Sequence, residues 1–308
     1  MNFQQLRIVR ETVRRNFNLT EVANVLYTSQ PGVSKNIKDL EDELGVELFV
    51  RRGKRLIGLT RPGEELIATV EGILRGAQNL RSIADQFASS EQGNLIVATT
   101  HTQARYALPA VIKQFRACYP KVHLTLHQSS PREIAEMLVA GEADIGIATE
   151  GLGDVPGLVT LPCYAWHHGV IVPQGHPLTQ LPALTLEALA AHPIVTYHAG
   201  FTGRSHIDSA FAAAGLEVDV VLSAIDADVI KTYVEIGLGV GIVASMAFDP
   251  AKDAGLRLLD ADALFASNTT LLAVHRGVFL RDYVRRFITM LAPGVSEEGL
   301  KEALADFL

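Results

Sequence analysis

Three runs of this 308-residue sequence gather small polar side chains where a strand would hand over to a helix. They are Thr99-Thr100-His101-Thr102-Gln103-Ala104, Ala148-Thr149-Glu150 and Gly200-Phe201-Thr202-Gly203-Arg204-Ser205. The first turn of a helix carries free N–H groups and the positive end of the helix dipole. Hydroxyl and amide side chains placed there make a site for a small anion. One threonine satisfies an N-cap, so three threonines and a glutamine exceed what capping requires. None of the runs has the glycine and lysine spacing of a phosphate loop. The chain also lacks a nucleophile elbow and a metal-ligand cluster, so binding is expected here and an enzyme is not. His167-His168 beside Cys163 has the wrong spacing for zinc, and neighbours on a strand point to opposite faces. Neither a metal nor a cofactor is therefore expected. Asp226 and Asp228 read as capping and dipole partners of a helix, with recognition of an amino group on an effector as the second reading.

A different chemistry is concentrated near the N-terminus. Gln30, Ser34, Lys35 and Lys38 share one face of a helical pattern whose other face is Val33, Ile37, Leu40 and Leu44. Amide, hydroxyl and ammonium groups on an exposed helix face are what base edges and phosphates in a DNA major groove accept. Thr28 lies in the break before this helix, Ser29 is its expected N-cap, Pro31 falls in its first turn and Gly45 ends it. Two shorter patterns precede it: Phe3, Leu6, Ile8, Val9 and Val13, then Val22, Ala23, Val25 and Leu26 opened by Thr20. Three helices with a short second turn predict a helix-turn-helix. Leu48–Val50 and Leu56–Thr60 then read as a two-stranded wing. Its tip around Gly53 carries Arg51, Arg52, Lys54 and Arg55, cations suited to the DNA backbone.

The remaining elements must hold these groups in place. Residues 60–92 are a linker helix with the stripe Leu66, Ile67, Val70, Ile73, Leu74, Ala77, Leu80, Ile83, Ala84 and Phe87. A lone helix cannot bury such a stripe, so pairing with a second subunit is expected. From residue 93 strands alternate with helices in two α/β lobes, 93–164 with 268–295 and 165–267, followed by a tail, 296–308. The expected fold is thus α/β: an all-α winged helix-turn-helix over 1–59, the linker helix, and a two-lobed effector domain like a periplasmic binding protein over 93–308. Two crossings between the lobes leave a ligand cleft.

Charge divides along the same line. Residues 1–62 hold 11 Lys and Arg against 7 Asp and Glu, and the rest of the chain holds 16 against 27. A basic module on an acidic body fits phosphate contact by the first part alone. No apolar run reaches the roughly 18–20 residues that span a bilayer, and Met1–Arg15 has no apolar core of a signal peptide. Two distant cysteines, Cys118 and Cys163, fit a reducing compartment, so a cytoplasmic protein without membrane contact is expected. An exported solute-binding protein would share the lobes, but not the missing signal or the N-terminal module.

The stretch from Leu19 to Gly63, containing TSQPGVSKNIKDLEDELGVELF and LTRPGEEL, resembles the LysR-type transcriptional regulators, and the resemblance extends over the whole chain. TTHTQARYALP, GEADIGIATE, LPCYAWHHG, TYHAGFTGRS and DADVIKTYVEIGLGVGIVASMA are similar to the CysB/Cbl branch, regulators of sulfur assimilation. The resemblance implies a ligand-responsive tetramer on double-stranded promoter DNA and leaves RNA polymerase an open partner. It implies a small effector such as sulfate, thiosulfate, acetylserine or adenosine phosphosulfate, held by Thr100, Thr102, Gln103, Thr149, Trp166 and Thr202. Trp166 enters this set through the resemblance alone; by composition it reads as a hinge-packing aromatic. A regulator of another pathway responding to an organic acid is the alternative, which the hydroxyl-lined helix starts disfavour.

Overall fold

The computed structural model describes residues 1–305 and divides into two compact units, Met1–Asp85 and Gln86–Leu308. In the first unit, helices α1 (Phe3–Arg14), α2 (Leu19–Val25) and α3 (Gln30–Leu44) surround Leu6, Ile8, Val9, Val22, Val33, Ile37 and Leu40, all buried. Ser29 caps α3 through a hydrogen bond from Gly32 N at 3.2 Å, and Gly45 ends it in the left-handed region at φ 70°. The second helix starts differently from the sequence expectation. Asn18, not Thr20, is its N-cap, accepting from Thr20 N and Glu21 N at 3.1 and 3.3 Å. Phe3 and Leu44 lie at the ends of their stripes and are exposed.

The wing is an antiparallel pair, β1 (Phe49–Arg52) and β2 (Arg55–Leu59), turning at Gly53 with φ 63°. One buried carboxylate fastens it to α3. Glu41 accepts from the backbone N–H groups of Leu48 and Phe49 at 2.9 and 3.2 Å through Oε1, and from Arg51 Nη2 at 2.6 Å through Oε2. Helix α4 (Arg61–Ala88) begins against the same corner: a Cβ on Gly63 would lie 2.1 Å from Leu48 O. Leu66, Ile67, Val70 and Leu74 pack into this unit's own core, which accounts for four of the ten residues in the stripe assigned to a second subunit. Leu80 and Phe87 remain 70% and 87% exposed.

The second unit holds two five-stranded sheets. The first is built from β3 (Gly93–Thr99), α5 (Leu108–Cys118), β4 (Val122–Gln128), α6 (Pro131–Ala140), β5 (Ile145–Ala148) and β6 (Leu158–Trp166). The chain then enters the second sheet with β7 (His168–Pro173), α7 (Leu186–Ala190), β8 (Ile194–Tyr197), α8 (Arg204–Ala213), β9 (Val220–Ala224), α9 (Ala227–Glu235), β10 (Val240–Ala244) and β11 (Leu256–Asp260). It returns as β12 (Asn268–His275), α10 (Asp282–Leu291) and α11 (Glu297–Ala305). The sheet orders are β4-β3-β5-β12-β6 and β11-β7-β10-β8-β9. Strands β3, β4 and β5 are parallel, as are β8, β9 and β10, and the crossing strands pair antiparallel.

Two boundaries differ from the sequence reading. Ala165 and Trp166 still pair with Thr269 and Asn268 in the first sheet, so the crossing falls at His167 and not between residues 164 and 165. The full ladder from Leu158 to Trp166 along β12 carries the first lobe two residues further than its apolar pattern suggested. The helix expected from Tyr106 is preceded by a π-helical turn, Gln103–Ala107. In the tail, Leu300 is buried and Ala303 and Leu304 pack on the first lobe's core; Phe307, the fourth residue of that expected face, lies outside the described residues.

Replacing Glu41 with alanine leaves two buried N–H groups without an acceptor, a loss of at least about 2 kcal/mol. In urea titrations of the full chain, the helix signal should melt at lower urea in Glu41→Ala. The fluorescence of Trp166, which lies in the other unit, should keep its midpoint. Coincident, unshifted transitions would show that the wing is held by something else.

Candidate functional site

The three polar runs all sit at the carboxyl ends of parallel strands: Thr100 follows β3, Thr149 follows β5, and the loop to Thr202 follows β8. Ligand crevices of α/β sheets form at such ends. Within the second unit the runs meet across the lobes. Thr102 Oγ1 and Thr202 Oγ1 are 3.4 Å apart, and both residues are buried. Thr100 is 5% exposed and Thr149 is half-buried. The Tyr197 hydroxyl accepts from Ala244 N at 3.0 Å and lies in hydrogen-bonding reach of Thr102, so the base of this array is polar and buried.

Gln103 and Trp166 stand behind the hydroxyls. Gln103 donates from Nε2 to Thr270 Oγ1 at 3.3 Å, and its Oε1 accepts from the Tyr164 hydroxyl. Trp166 Nε1 donates to the same Thr270 oxygen at 3.2 Å. Both are therefore tied to β6 and β12 at the hinge. The π-helical turn sets Gln103 facing inward, an insertion of the kind that often marks functional positions in helices.

The loop bearing Thr202 is held under strain. Thr202 has φ 47°, a left-handed conformation that costs a non-glycine residue on the order of 1–2 kcal/mol. Its carbonyl accepts from His168 Nε2 at 3.0 Å, so the proton sits on Nε2. Nδ1 is then the acceptor for Asn268 Nδ2 at 3.3 Å. His168 opens β7 and Asn268 opens β12, so one imidazole joins both crossings and the strained loop. Burial lowers its pKa from the usual 6.5 to about 4, outweighing the bond to Thr202, and the ring is neutral near pH 7. Gly203 has φ 68°, and a Cβ there would lie 2.0 Å from Asn268 Oδ1, so a side chain is excluded.

One group carries no role in the sequence reading, and a second has more contacts than that reading gives it. Glu150 reaches the same loop: its Oε1 accepts from Gly203 N, while Oε2 is buried without a hydrogen-bond partner. Burial raises its pKa, partly offset by the N–H bonds. Its place beside Thr149 was visible, but a carboxylate counts against an anion site unless the amides it occupies are known. Asp226 caps α9 and Asp228 lies in its first turn, the places of a cap and a dipole partner. Asp228 also joins the lobes, accepting from Tyr106 Oη at 2.7 Å and Arg105 Nε at 3.3 Å, with Lys231 Nζ at 3.2 Å. Burial works to raise its pKa, but these donors outweigh it and hold the carboxyl below the usual range. An amino group on a ligand would have to displace those three.

In the first unit the α3 face is open. Gln30 Nε2 donates to Ser34 Oγ at 3.2 Å, and Lys35 and Lys38 are exposed beside them. Thr28, Ser29 and Pro31 are exposed at its start. Tyr27 precedes them in the left-handed region at φ 51° and is 97% exposed, a large aromatic ring that hydrophobic patterning did not single out. At the wing tip Arg52, Lys54 and Arg55 are exposed and in no ion pair among the described residues. Arg51 differs, since Glu41 already neutralises it. The hollow between α3 and α4, lined by Leu44, Leu48, Leu66, Ile67 and Ile73, is apolar and offers an anion nothing. Among the described residues no cluster of three or more His, Cys, Asp or Glu could hold a metal ion, and no helix is long and apolar enough to cross a membrane.

Residues 3–64 match the family described as bacterial regulatory helix-turn-helix protein, lysR family, and residues 88–295 match the LysR substrate binding domain. The chain is 62% identical over 297 residues to the HTH-type transcriptional regulator SsuR of Burkholderia cenocepacia, covering 96% of each chain. It is 54% identical over 306 residues to the HTH-type transcriptional regulator cbl of Escherichia coli strain K12, covering 99% of this chain and 97% of that one. A crystal structure of the cofactor-binding domain of the Cbl transcriptional regulator matches with a TM-score of 0.68 at 51% identity, covering 70% of this chain and 94% of that one.

Because the Thr202 loop needs a neutral His168, acid should weaken this unit. As pH falls below the unfolded value of 6.5, the unfolded chain takes up a proton that the folded chain refuses until about 4. The urea midpoint followed by Trp166 fluorescence should fall over that window, and His168→Gln should remove part of the fall. The difference between the two proteins isolates this group from Glu150 and Asp144, whose raised pKa values act in the opposite sense. Identical pH profiles would contradict the neutral clamp.

Proposed function

The chain belongs to the LysR family of bacterial regulatory helix-turn-helix proteins, and on that premise we propose that it controls sulfur assimilation genes through a small effector bound between its lobes. The genes are those of cysteine biosynthesis or of sulfonate and sulfate-ester use. The observation that carries the reading of the cleft is the meeting of Thr102 and Thr202 across it, with Thr100 and Thr149 alongside at strand ends. Hydroxyl donors on both lobes mean that a bound anion contacts both at once. A ligand with different affinity for the open and closed arrangements shifts the balance between them. The sulfur assignment is supported by similarity at 62% and 54% identity over nearly the whole length of SsuR and cbl.

DNA reading belongs to α3, with Gln30, Ser34, Lys35 and Lys38 toward base edges and phosphates, and Thr28, Ser29 and Pro31 at its entry. Arg52, Lys54 and Arg55 serve as backbone clamps on the wing; Arg51, held by Glu41, orients the wing first and reaches phosphate second. The exposed Leu80 and Phe87 of α4 favour a subunit contact, and a tetramer would set four reading heads on one promoter. The protein acts in the cytoplasm, as a regulator and not an enzyme. RNA polymerase is the partner through which bound protein would alter transcription.

Footprinting on a sulfonate- or cysteine-gene promoter tests both halves together. The double variant Ser34→Ala, Lys35→Ala should lose the specific footprint. Thr100→Val should keep the footprint but respond only at effector concentrations roughly 5- to 150-fold higher, the loss of one hydroxyl to a charged ligand. A footprint retained by the double variant would remove α3 from the DNA interface, and an unchanged response in Thr100→Val would put the effector elsewhere.

A further inference from the structure

The last turn of the linker helix is held by side chains that lie between 189 and 196 residues later in the chain. Helix α4 closes at Ala88, and the turn Ser89-Ser90-Glu91-Gln92 leads into β3. Gln86 meets Asp282 twice: its Nε2 donates to Oδ2 at 2.5 Å, and its Oε1 accepts from the Asp282 N–H at 2.9 Å. Arg281 Nη2 donates to the carbonyls of Ser89 and Gln92 at 2.6 and 2.8 Å. Tyr283 Oη donates to Asn94 O at 2.9 Å, and its ring centroid lies 4.8 Å from the Arg281 guanidinium carbon. Gly93 leaves room for both, since a Cβ there would lie 2.6 Å from Tyr283 Oη and 2.8 Å from Arg281 Nη1.

Helix α10 opens at Arg281, a place where a short polar side chain would hold the first N–H groups, yet Arg281 makes no such cap bond. Its guanidinium turns instead to the carboxyl end of α4, where unpaired carbonyls and the negative end of the helix dipole favour a cation. Arg281 is only 9% exposed, and a buried cation is costly unless it is bonded in place. Helix α10 is in turn packed on the first lobe. Phe287 meets Phe115 of α5 edge-on at 5.3 Å between centroids, and Tyr283 meets Tyr119 at 6.3 Å. Helix α5 continues directly from the π-helical turn that carries Gln103. Packed side chains thus run without a break from the polar cleft to the last turn of α4.

We infer that Arg281 is the positioning residue through which the effector lobes act on the linker helix: its fork to Ser89 and Gln92, with the Gln86–Asp282 pair, locks the last turn of α4 to α10. The turn Ser89–Gln92 has no helical or strand ladder of its own, so without the lock it absorbs a displacement of α10 and α4 does not follow. The inference rests on the reading of the chain as an effector-responsive regulator and adds the residue by which the response leaves the cleft.

The test uses the full chain as wild type, Arg281→Gln and Gln86→Ala. Calorimetry gives the binding of potassium sulfate and of N-acetylserine. Footprint titration on a sulfonate- or cysteine-gene promoter gives the DNA affinity and the factor by which each compound changes it. In Arg281→Gln, binding of the compound and of the promoter alone should each stay within about twofold of wild type, while the factor falls roughly fivefold or more, toward one. A merely structural Arg281 would weaken binding and leave the factor alone. Glu-C proteinase reads the joint without any ligand: cleavage after Glu91 should be about tenfold faster in Arg281→Gln, with the urea midpoint of Trp166 fluorescence unchanged. An unchanged factor, or Glu91 cut at the wild-type rate, overturns the inference and leaves the effector reading standing. A wild type that binds neither compound, or whose promoter affinity neither compound changes, overturns the effector reading and the inference together. If Arg281→Gln loses the native circular dichroism spectrum, Gln86→Ala decides: it removes the Gln86–Asp282 pair alone and should lower the factor, and an unchanged factor overturns the inference.

Discussion

The imidazole of His168 lies where both crossings between the lobes meet, and its two nitrogens have opposite tasks. Nε2 donates to the carbonyl of Thr202, and Nδ1 accepts from Asn268. That division exists only in the neutral ring, and burial keeps it neutral. Around this one group the strained φ of Thr202 becomes tolerable, Gly203 is pressed against Asn268, and the Gly203 amide is aimed at Glu150. The rings of Trp166 and Phe265 make T-shaped contacts with the same imidazole at 5.0 and 5.8 Å between centroids, and His168 is fully buried. The cleft is thus built from its hinge outward.

This arrangement couples the site to the rest of the lobes through short paths. Gln103 belongs both to the polar cluster around Thr270 and to the π-helical turn that carries Arg105 and Tyr106. Those two residues grip Asp228 on α9 of the other lobe. Lys231, one turn on, joins Asp228 to Asp253 and stands 5.5 Å from the Tyr106 ring centroid. A ligand that moves the Thr102–Gln103 segment therefore acts directly on the contact between lobes. The bonds from Arg105 and Tyr106 to Asp228 are thus side-chain links from one lobe to the other that lie next to the polar cleft.

Much of this was legible in the sequence where a residue type has one strong local use. Ser29, Pro31 and Gly45 bracket α3 because capping, a missing N–H and a left-handed stop each have few alternatives. The hydroxyl runs were found because they exceed the needs of capping. Trp166 was not derivable, since a lone tryptophan carries no local signal for a ligand; the family resemblance alone pointed to it, and its indole is engaged with Thr270. Asn18 was missed as a cap because Thr20 two residues later has a similar claim. The left-handed Thr202 and the π-helical turn are set by tertiary contacts at His168 and by the polar cluster at Thr270, 34 and 167 residues away in the chain, and no local pattern encodes them. The contact of Glu150 with Gly203 and the interlobe bonds of Asp228 were not legible for the same reason: they depend on partners from the opposite lobe.

The central claim is that the Thr100–Gln103 and Thr202 segments together are where an effector is received. Hydrogen–deuterium exchange of the full chain, with and without a compound that alters its DNA binding, addresses this whatever the compound's identity. Slowed exchange at the backbone amides of residues 100–104 and 200–204 together is the result expected. A compound that changes DNA binding while leaving both segments at their free rates would contradict it.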